Sequence, residues 1–430
     1  MISLRRRIGR GHLRVGWIVA DQGLVSLSSF ALAALVARAV SPHAFGDFTL
    51  LYSVYLVVVG VSRSFASEPL LIRYPGGDLD TLRDGCRWST GATVTAGAAV
   101  GICGLVTLPL LHDGSLRLAT LGLALCVPGL LLKDAWRYCF FALGTPFQAV
   151  LNDAIWTGVQ LGGVIWLARD GHHEVAGMIT VWGASATACA ALGMLQARLL
   201  PHPQRLVAWL WRHRDLAPRF SLEYLVAGGA LQATIWFAGI LAGVVTAGAL
   251  RAGEILLGPP RVLMQAAQPA MVPEGARLLR TTPRHVLPTS LWSSLALTLA
   301  TLAWSILLLA FSPRLGDELF GATWQYARPV VLPLAVAALT NAASAGAAIG
   351  LRIMAAARAS LRVRLLVAPI TLALAVVGVL VAGAAGAAWG IAAGGALGGA
   401  VWWYALAREL RARHHDADPP LGQAALGTHG

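Results

Sequence analysis

The chain has 430 residues, of which 57% are hydrophobic and only 12% charged, and its mean hydropathy is +0.67. Soluble globular chains carry about 25% charged residues, so this composition excludes that class and leaves an integral membrane protein. The net charge of +13 is read as arginines in cytoplasmic loops, not as a nucleic-acid surface.

The basic N-terminus, MISLRRRIGRGHLR, leads into a first apolar span that is too long for a signal peptide and is expected to be retained. A membrane helix needs about 20 apolar residues. Scanning for such runs predicts twelve spans with soft edges, near 15–37, 44–64, 88–110, 117–139, 147–168, 175–197, 221–246, 248–272, 287–311, 326–350, 365–384 and 387–407. Breaks are expected at GTP (144–146), PHP (201–203) and SPRLGDE (312–318).

The first span contains ADQGLVSLSS (20–29), which is costly in lipid. On a helix turning 100° per residue with Asp21 at 0°, Ser28 falls near 340°, Ser29 near 80°, Gln22 near 100° and Ser26 near 140°. One polar arc opposite Leu24, Leu27 and Phe30 predicts a cavity wall, with polar helix packing as the alternative. Further along, Arg63 and Glu68 flank the inner end of span 2 and are expected to pair. Lys133, Asp134 and Arg137 end span 4, where snorkelling to the interface is the expectation. Asn152 and Asp153 begin span 5 and stand where they would close that cluster. His172, His173 and Glu174 share a short turn, and three adjacent residues rarely converge on a metal. The five cysteines have no ligand spacing and are read as small packing residues.

The central loop, about 198–220, contains RLVAWLWRHR and reads either as an amphipathic surface segment or as a linker between halves. Span 8 repeats the polar pattern in RAGEILLGPPRVLMQAAQ. Arg251, Glu254, Arg261, Gln265 and Gln268 fall on one stripe about 100° wide. Gly258-Pro259-Pro260 is expected to break the helix and free carbonyls that only protein or water can satisfy. Arg261 is a candidate anion ligand, since guanidinium matches phosphate in a bidentate fork. The tail after Arg413 reads as disordered.

Placing both termini in the cytoplasm puts 26 basic residues in inside segments, against Arg38, Arg117, Arg169, Arg251 and Arg314 outside, as the positive-inside rule requires. A shift of 205 residues lays ARAVSPHAFGDF (37–48) on AGVVTAGALRAG (242–253), and sets Glu68-Pro69 near Pro273-Glu274. The expected architecture is therefore all-α: twelve transmembrane helices in two six-helix lobes, related by a pseudo-two-fold axis along the membrane normal. The lobes are 1–198 and 221–413, with a basic linker at 199–220 and a tail at 414–430. Such parallel repeats enclose a cavity suited to alternating access.

The stretch DQGLVSLSSFALAALVARAVSPHAFGDFTLLYSVYLVVVGVSRSFASEPLLIR, with Tyr52 and Tyr55 in its second helix, and TAGALRAGEILLGPPRVLMQA in the other half, resemble bacterial polysaccharide flippases. These form the Wzx-type branch of the multidrug/oligosaccharidyl-lipid/polysaccharide exporter superfamily. The resemblance implies two lobes in a V, with spans 1, 2, 7 and 8 around a cavity. It implies a transporter, not an enzyme, that moves undecaprenyl-diphosphate-linked oligosaccharide across the bacterial cytoplasmic membrane. Membrane lipids would be its other partners. Carried onto this sequence, the resemblance fits Arg251, Glu254 and Arg261 in span 8 and Asp21 in span 1; with Gln22, Ser26 and Ser29 of the polar arc and Gln265 of the stripe these make the expected site, with no cofactor beyond a coupling proton or sodium ion. The alternative is an ion-coupled multidrug or metabolite antiporter of the same fold. A glycan polymerase or ligase would need a large outer domain, and every predicted outer loop is short.

Overall fold

The computed structural model describes residues 2–74, 78–264, 267, 286–354 and 356–417, and within them all regular structure is helical. Among the described residues, eight helical runs are long and apolar enough to cross a membrane. The chain is a multi-pass membrane protein.

The first half comprises α1 (Ile2–Ala39), α2 (Pro42–Ser62), α3 (Glu68–Arg73), α4 (Leu79–Thr107), α5 (Gly114–Ala142), α6 (Pro146–Arg169) and α7 (Val175–Ala197). Ser41 caps α2 by accepting from the Ala44 N–H, and Pro42 sits where its missing N–H costs nothing. A π turn, Arg63–Ser67, joins α2 to α3. Pro69 explains it, because its ring clashes with the carbonyl four residues back and offers that carbonyl no N–H. The Glu68 N–H bonds the Arg63 carbonyl instead, one residue further back than in an α-helix. The helix thus runs past Arg63 to Arg73, beyond the predicted end of span 2.

Two short helices, α8 (Leu206–Arg212) and α9 (Ala217–Tyr224), occupy the basic linker. Then come α10 (Ala230–Ala242), α11 (Val244–Leu256) and α12 (258–264). The second half continues with α13 (Val286–Phe320), α14 (Trp324–Ile353) and α15 (Ala357–Ala417). A kink at Ala382–Gly383 divides α15 where two spans were expected.

Three predicted boundaries move. The turn after α10 falls at Gly243, not near 247, because its φ of +88° lies in a region that side chains disfavour. SPRLGDE lies inside α13, which ends only at Phe320. The expected disordered tail begins as helix up to Ala417, and the remainder lies outside the described residues, as does Pro273-Glu274.

Within the first half, α5 packs on α4 and α7, and α6 packs on α1 and α7. In the second half, α14 packs on α13, α11 and α15, while α10 also packs on α15. Helix α2 crosses to α10 and α11. That crossing is close: a Cβ on Gly46 would stand 2.2 Å from the Val244 carbonyl oxygen, so only glycine lets the backbones approach. Beside it, Arg38 donates to the Glu318 carbonyl at 2.5 Å and Thr323 to the Ala37 carbonyl at 3.4 Å. The two halves meet tightly at the end bearing the 40–41, 243 and 321–323 turns.

Candidate functional site

A cavity of about 190 Å³ lies against α1, α2, α5, α6, α7 and α9. Its aromatic wall is Tyr52, Tyr55, Trp156, Trp182 and Tyr224. The Tyr55 and Trp182 rings meet edge to face, 4.8 Å apart at 89°. Ser29 and Gln160 also line it. The remaining wall is charged: Arg63, Lys133, Asp134 and Arg137.

These charges belong to a buried network of three cations and three carboxylates. Arg63 holds Asp134 through a two-toothed pair, Nε at 2.8 Å and Nη2 at 2.7 Å. Arg137 reaches three carboxylates: Asp21 at 2.6 Å, Asp134 at 3.1 Å and Asp153 at 3.1 Å. Lys133 pairs with Asp153, and its ammonium sits 3.9 Å from the centre of the Trp156 ring. Asp21 and Asp153 are fully buried, and Lys133 and Arg137 are 3% exposed. Ions taken from water this completely persist only when each has opposite charges and hydrogen bonds. Among the described members the formal charges balance.

Local structure places each group. Lys133, Asp134 and Arg137 fall at i, i+1 and i+4 on α5, so Lys133 and Arg137 stack on one face. Asp153 comes from α6, which packs beside α5 and α1. The π turn begins at Arg63, so its side chain leaves α2 where the helix changes pitch. The carbonyl that Pro69 cannot bond belongs to Phe65, and Trp209 of the linker helix α8 donates to it at 3.0 Å. In the second half Pro260 stands in the same relation to the Leu256 carbonyl, which the Trp304 indole satisfies at 2.9 Å. Each half thus caps a proline-freed carbonyl with a tryptophan.

The predicted site residues separate. Asp21 joins the network, and Ser28, on the same arc, accepts from Gln160 at 2.5 Å. Ser29 lines the cavity, Ser26 is half-buried and Gln22 is exposed. Arg251 and Glu254 are buried and pair at 3.4 Å. Arg251 also lies over the Tyr52 ring, 4.9 Å from its centre, which brings the α11 pair to the back of the aromatic wall. Arg261 is exposed on α12, apart from that pair, and Gln265 and Gln268 lie outside the described side chains. Arg63 pairs with Asp134 and not with Glu68. Lys133, Asp134 and Arg137 are buried and do not snorkel, because three carboxylates and an aromatic face compensate them in place. Asp153 closes the cluster as expected, whereas Asn152 donates to the Cys189 carbonyl and to Gln196. Among the described residues no group of His, Cys, Asp and Glu is placed to hold a metal. In the linker, α8 is docked on the first half through Trp209, which is fully buried, while Trp211 stays 65% exposed.

No protein-family model matches the sequence, and no curated protein matches it. Solved structures do match. An inward-facing multidrug-resistance MATE family transporter of the MOP superfamily superposes with a TM-score of 0.73 at 14% identity, over 91% of this chain and 96% of that one. The lipid II flippase MurJ, in an inward closed conformation, gives 0.69 at 8% identity over 91% and 87%. A MOP superfamily transporter from Pyrococcus furiosus, described as having a binding pocket of reversed polarity, gives 0.60 at 12% identity over 94% and 95%. An outward-facing MATE conformation gives 0.57.

Proposed function

Sharing the fold of these MATE and MurJ transporters, the chain, we propose, is a transporter that flips lipid-diphosphate-linked oligosaccharide across a bacterial cytoplasmic membrane for cell-surface polysaccharide synthesis. Its helices make two six-membered lobes, 1–198 and 221–413, with both termini cytoplasmic. The observation that carries the substrate class is the trio Arg63, Lys133 and Arg137 on one cavity wall, the last two buried and Arg63 half-buried. Three cations at that spacing suit the two phosphates of a lipid diphosphate. In the structure their partners are Asp21, Asp134 and Asp153. Phosphate oxygens and these carboxylates compete for the same donors. Substrate phosphate displaces the carboxylates from the cations, and its release lets them pair again, with a proton or a sodium ion as the proposed coupling ion. The close contacts near Gly46 and the better match to inward-facing relatives support a cavity that is closed at the outer end.

The aromatic wall favours a second reading, an antiporter for an organic cation held against the ring faces of Tyr52, Tyr55, Trp156 and Trp182. One experiment separates the two. The purified protein is placed in liposomes with a fluorescent undecaprenyl-diphosphate oligosaccharide, and head-group accessibility to an external quencher is followed. Wild type equilibrates the probe between leaflets. Arg63→Ala, at a side chain that is 34% exposed and so tolerant of loss, slows it by about tenfold or more, the cost of one charged hydrogen-bonding partner. Equal flipping by wild type and variant, or proton-driven uptake of tetraphenylphosphonium with no flipping, rejects the lipid reading.

A further inference from the structure

A second and larger cavity, of about 540 Å³, opens between α2, α4, α5 and α10. It is chemically unlike the first. Three of its polar groups are already occupied: Thr107 donates to the Gly104 carbonyl, Thr120 to the Leu116 carbonyl, and the Trp236 indole to Ser53. No charged side chain lines it. What remains is an aliphatic trough open along Val54, Cys103 and Ile240, all exposed. Its volume falls in the range of about 300–1,000 Å³ typical of small-molecule sites.

Its position relative to the charged cavity is informative. Tyr55 is a wall of both. The charged network lies toward the end of the bundle where α2 runs into α3 and α5 ends. The trough lies toward the opposite end, near the 108–113 and 243 turns. A molecule with a diphosphate head and a long hydrocarbon tail has this polarity. With its head at Arg63 and Arg137, its chain runs past Tyr55 toward the trough.

We infer that the trough between α2, α4, α5 and α10 is a binding site for the hydrocarbon chain of the transported lipid, entered while the head occupies the charged cavity. The inference rests on the lipid-diphosphate reading and adds to it where the tail goes. A chain held there is carried through the seam between the halves, α2 against α10, and is released when that seam opens.

The test uses the full chain in nanodiscs of phosphatidylethanolamine and two photoprobes with a diazirine midway along the chain. One is a polyprenyl diphosphate and the other a phosphatidylcholine. Cross-linked peptides are mapped by mass spectrometry. The polyprenyl probe should label 50–58, 100–107 and 236–240 saturably, and excess phosphatidylcholine should not compete. Val54→Trp and Cys103→Trp, each at an exposed position, fill the trough without touching the charged network. Either should weaken labelling there by about tenfold, the loss expected when two methylenes are excluded. Saturable polyprenyl labelling confined to other regions overturns the trough while leaving the lipid reading intact. Equal labelling of the trough by both probes makes it ordinary lipid contact and overturns the inference. Absence of saturable polyprenyl labelling anywhere overturns both.

Discussion

Arg137 is the centre of the buried network, since three carboxylates meet on its guanidinium. Arg137→Leu strips Asp21 of its paired cation and leaves Asp153 only Lys133. Breaking a buried pair by removing one partner costs about 3–5 kcal/mol, more than the pair itself contributes, because an uncompensated charge remains. Thermal unfolding of the detergent-solubilised protein should show Arg137→Leu strongly destabilised, and Arg137→Leu with Asp21→Asn partly restored. Equal melting temperatures for wild type and Arg137→Leu would mean that water already reaches these groups. Asp21 was conspicuous in the sequence, since an acid inside an apolar span has few explanations. Its partner was not, because Arg137 lies near a predicted helix end where an arginine ordinarily reaches the interface. What decides the outcome is α6 bringing Asp153 alongside, a contact that no spacing in the chain encodes.

At the scale of elements, the linker helix α8 is the piece whose docking is tunable. Trp209 caps the Phe65 carbonyl, and His213 packs on the Trp209 ring with centroids 3.9 Å apart. The His213 Nδ1 donates to the Trp209 carbonyl at 2.9 Å, which leaves its buried Nε2 without a hydrogen-bond partner. Burial pushes the His213 pKa below its usual 6.5; the hydrogen bond to Trp209 opposes this, and the nearby Arg73 and Arg212 add to it. The native linker therefore prefers neutral His213, while the undocked chain takes up a proton more readily. Docking is complete above about pH 6.5 and weakens as the pH falls through the lowered folded value. Amide protection factors over 206–216, corrected for the intrinsic exchange rate at each pH, should fall on acidification, and His213→Phe should flatten that response. Protection factors in wild type that do not change with pH would count against the coupling. The amphipathic character of RLVAWLWRHR is visible in the sequence, but its docking on the first half is not, because the acceptor that Trp209 fills is set free by the missing N–H of Pro69, far away in the chain.

At the scale of the whole molecule, the two halves close against each other where Gly46 meets Val244. Thr323 donates to the Ala37 carbonyl across the same seam. Ala37→Cys with Thr323→Cys, in a background lacking the exposed Cys103, should cross-link in the absence of substrate and halt transport reversibly. Cross-linking that leaves transport unimpaired would show that this seam does not open during the cycle. Much of this scale was legible beforehand. The run lengths anticipate most helices, since lipid forces every backbone group into a helix, and the prolines anticipate the break at Gly258-Pro259-Pro260. SPRLGDE misled because charge and proline usually end a span, whereas α13 continues to Phe320. Arg261 misled because a helical stripe was projected across that break, and after Leu257 the two segments no longer share a face.

The sequence by itself determined the solvent, the helices and the presence of an acid within the first of them, whereas its complete burial against Arg137 came from the packing. Hydrophobic length and charge placement are local properties, and a bilayer reads them locally. Only the tertiary structure decided which charges meet. Arg63, Lys133, Asp134 and Arg137 lie near the ends of spans 2 and 4, and Asp153 near the start of span 5. Bringing them into one ion network is the work of α1, α2, α5 and α6 packing together. Whether a cation near a helix end stays buried or reaches water depends on the carboxylates that neighbouring helices supply.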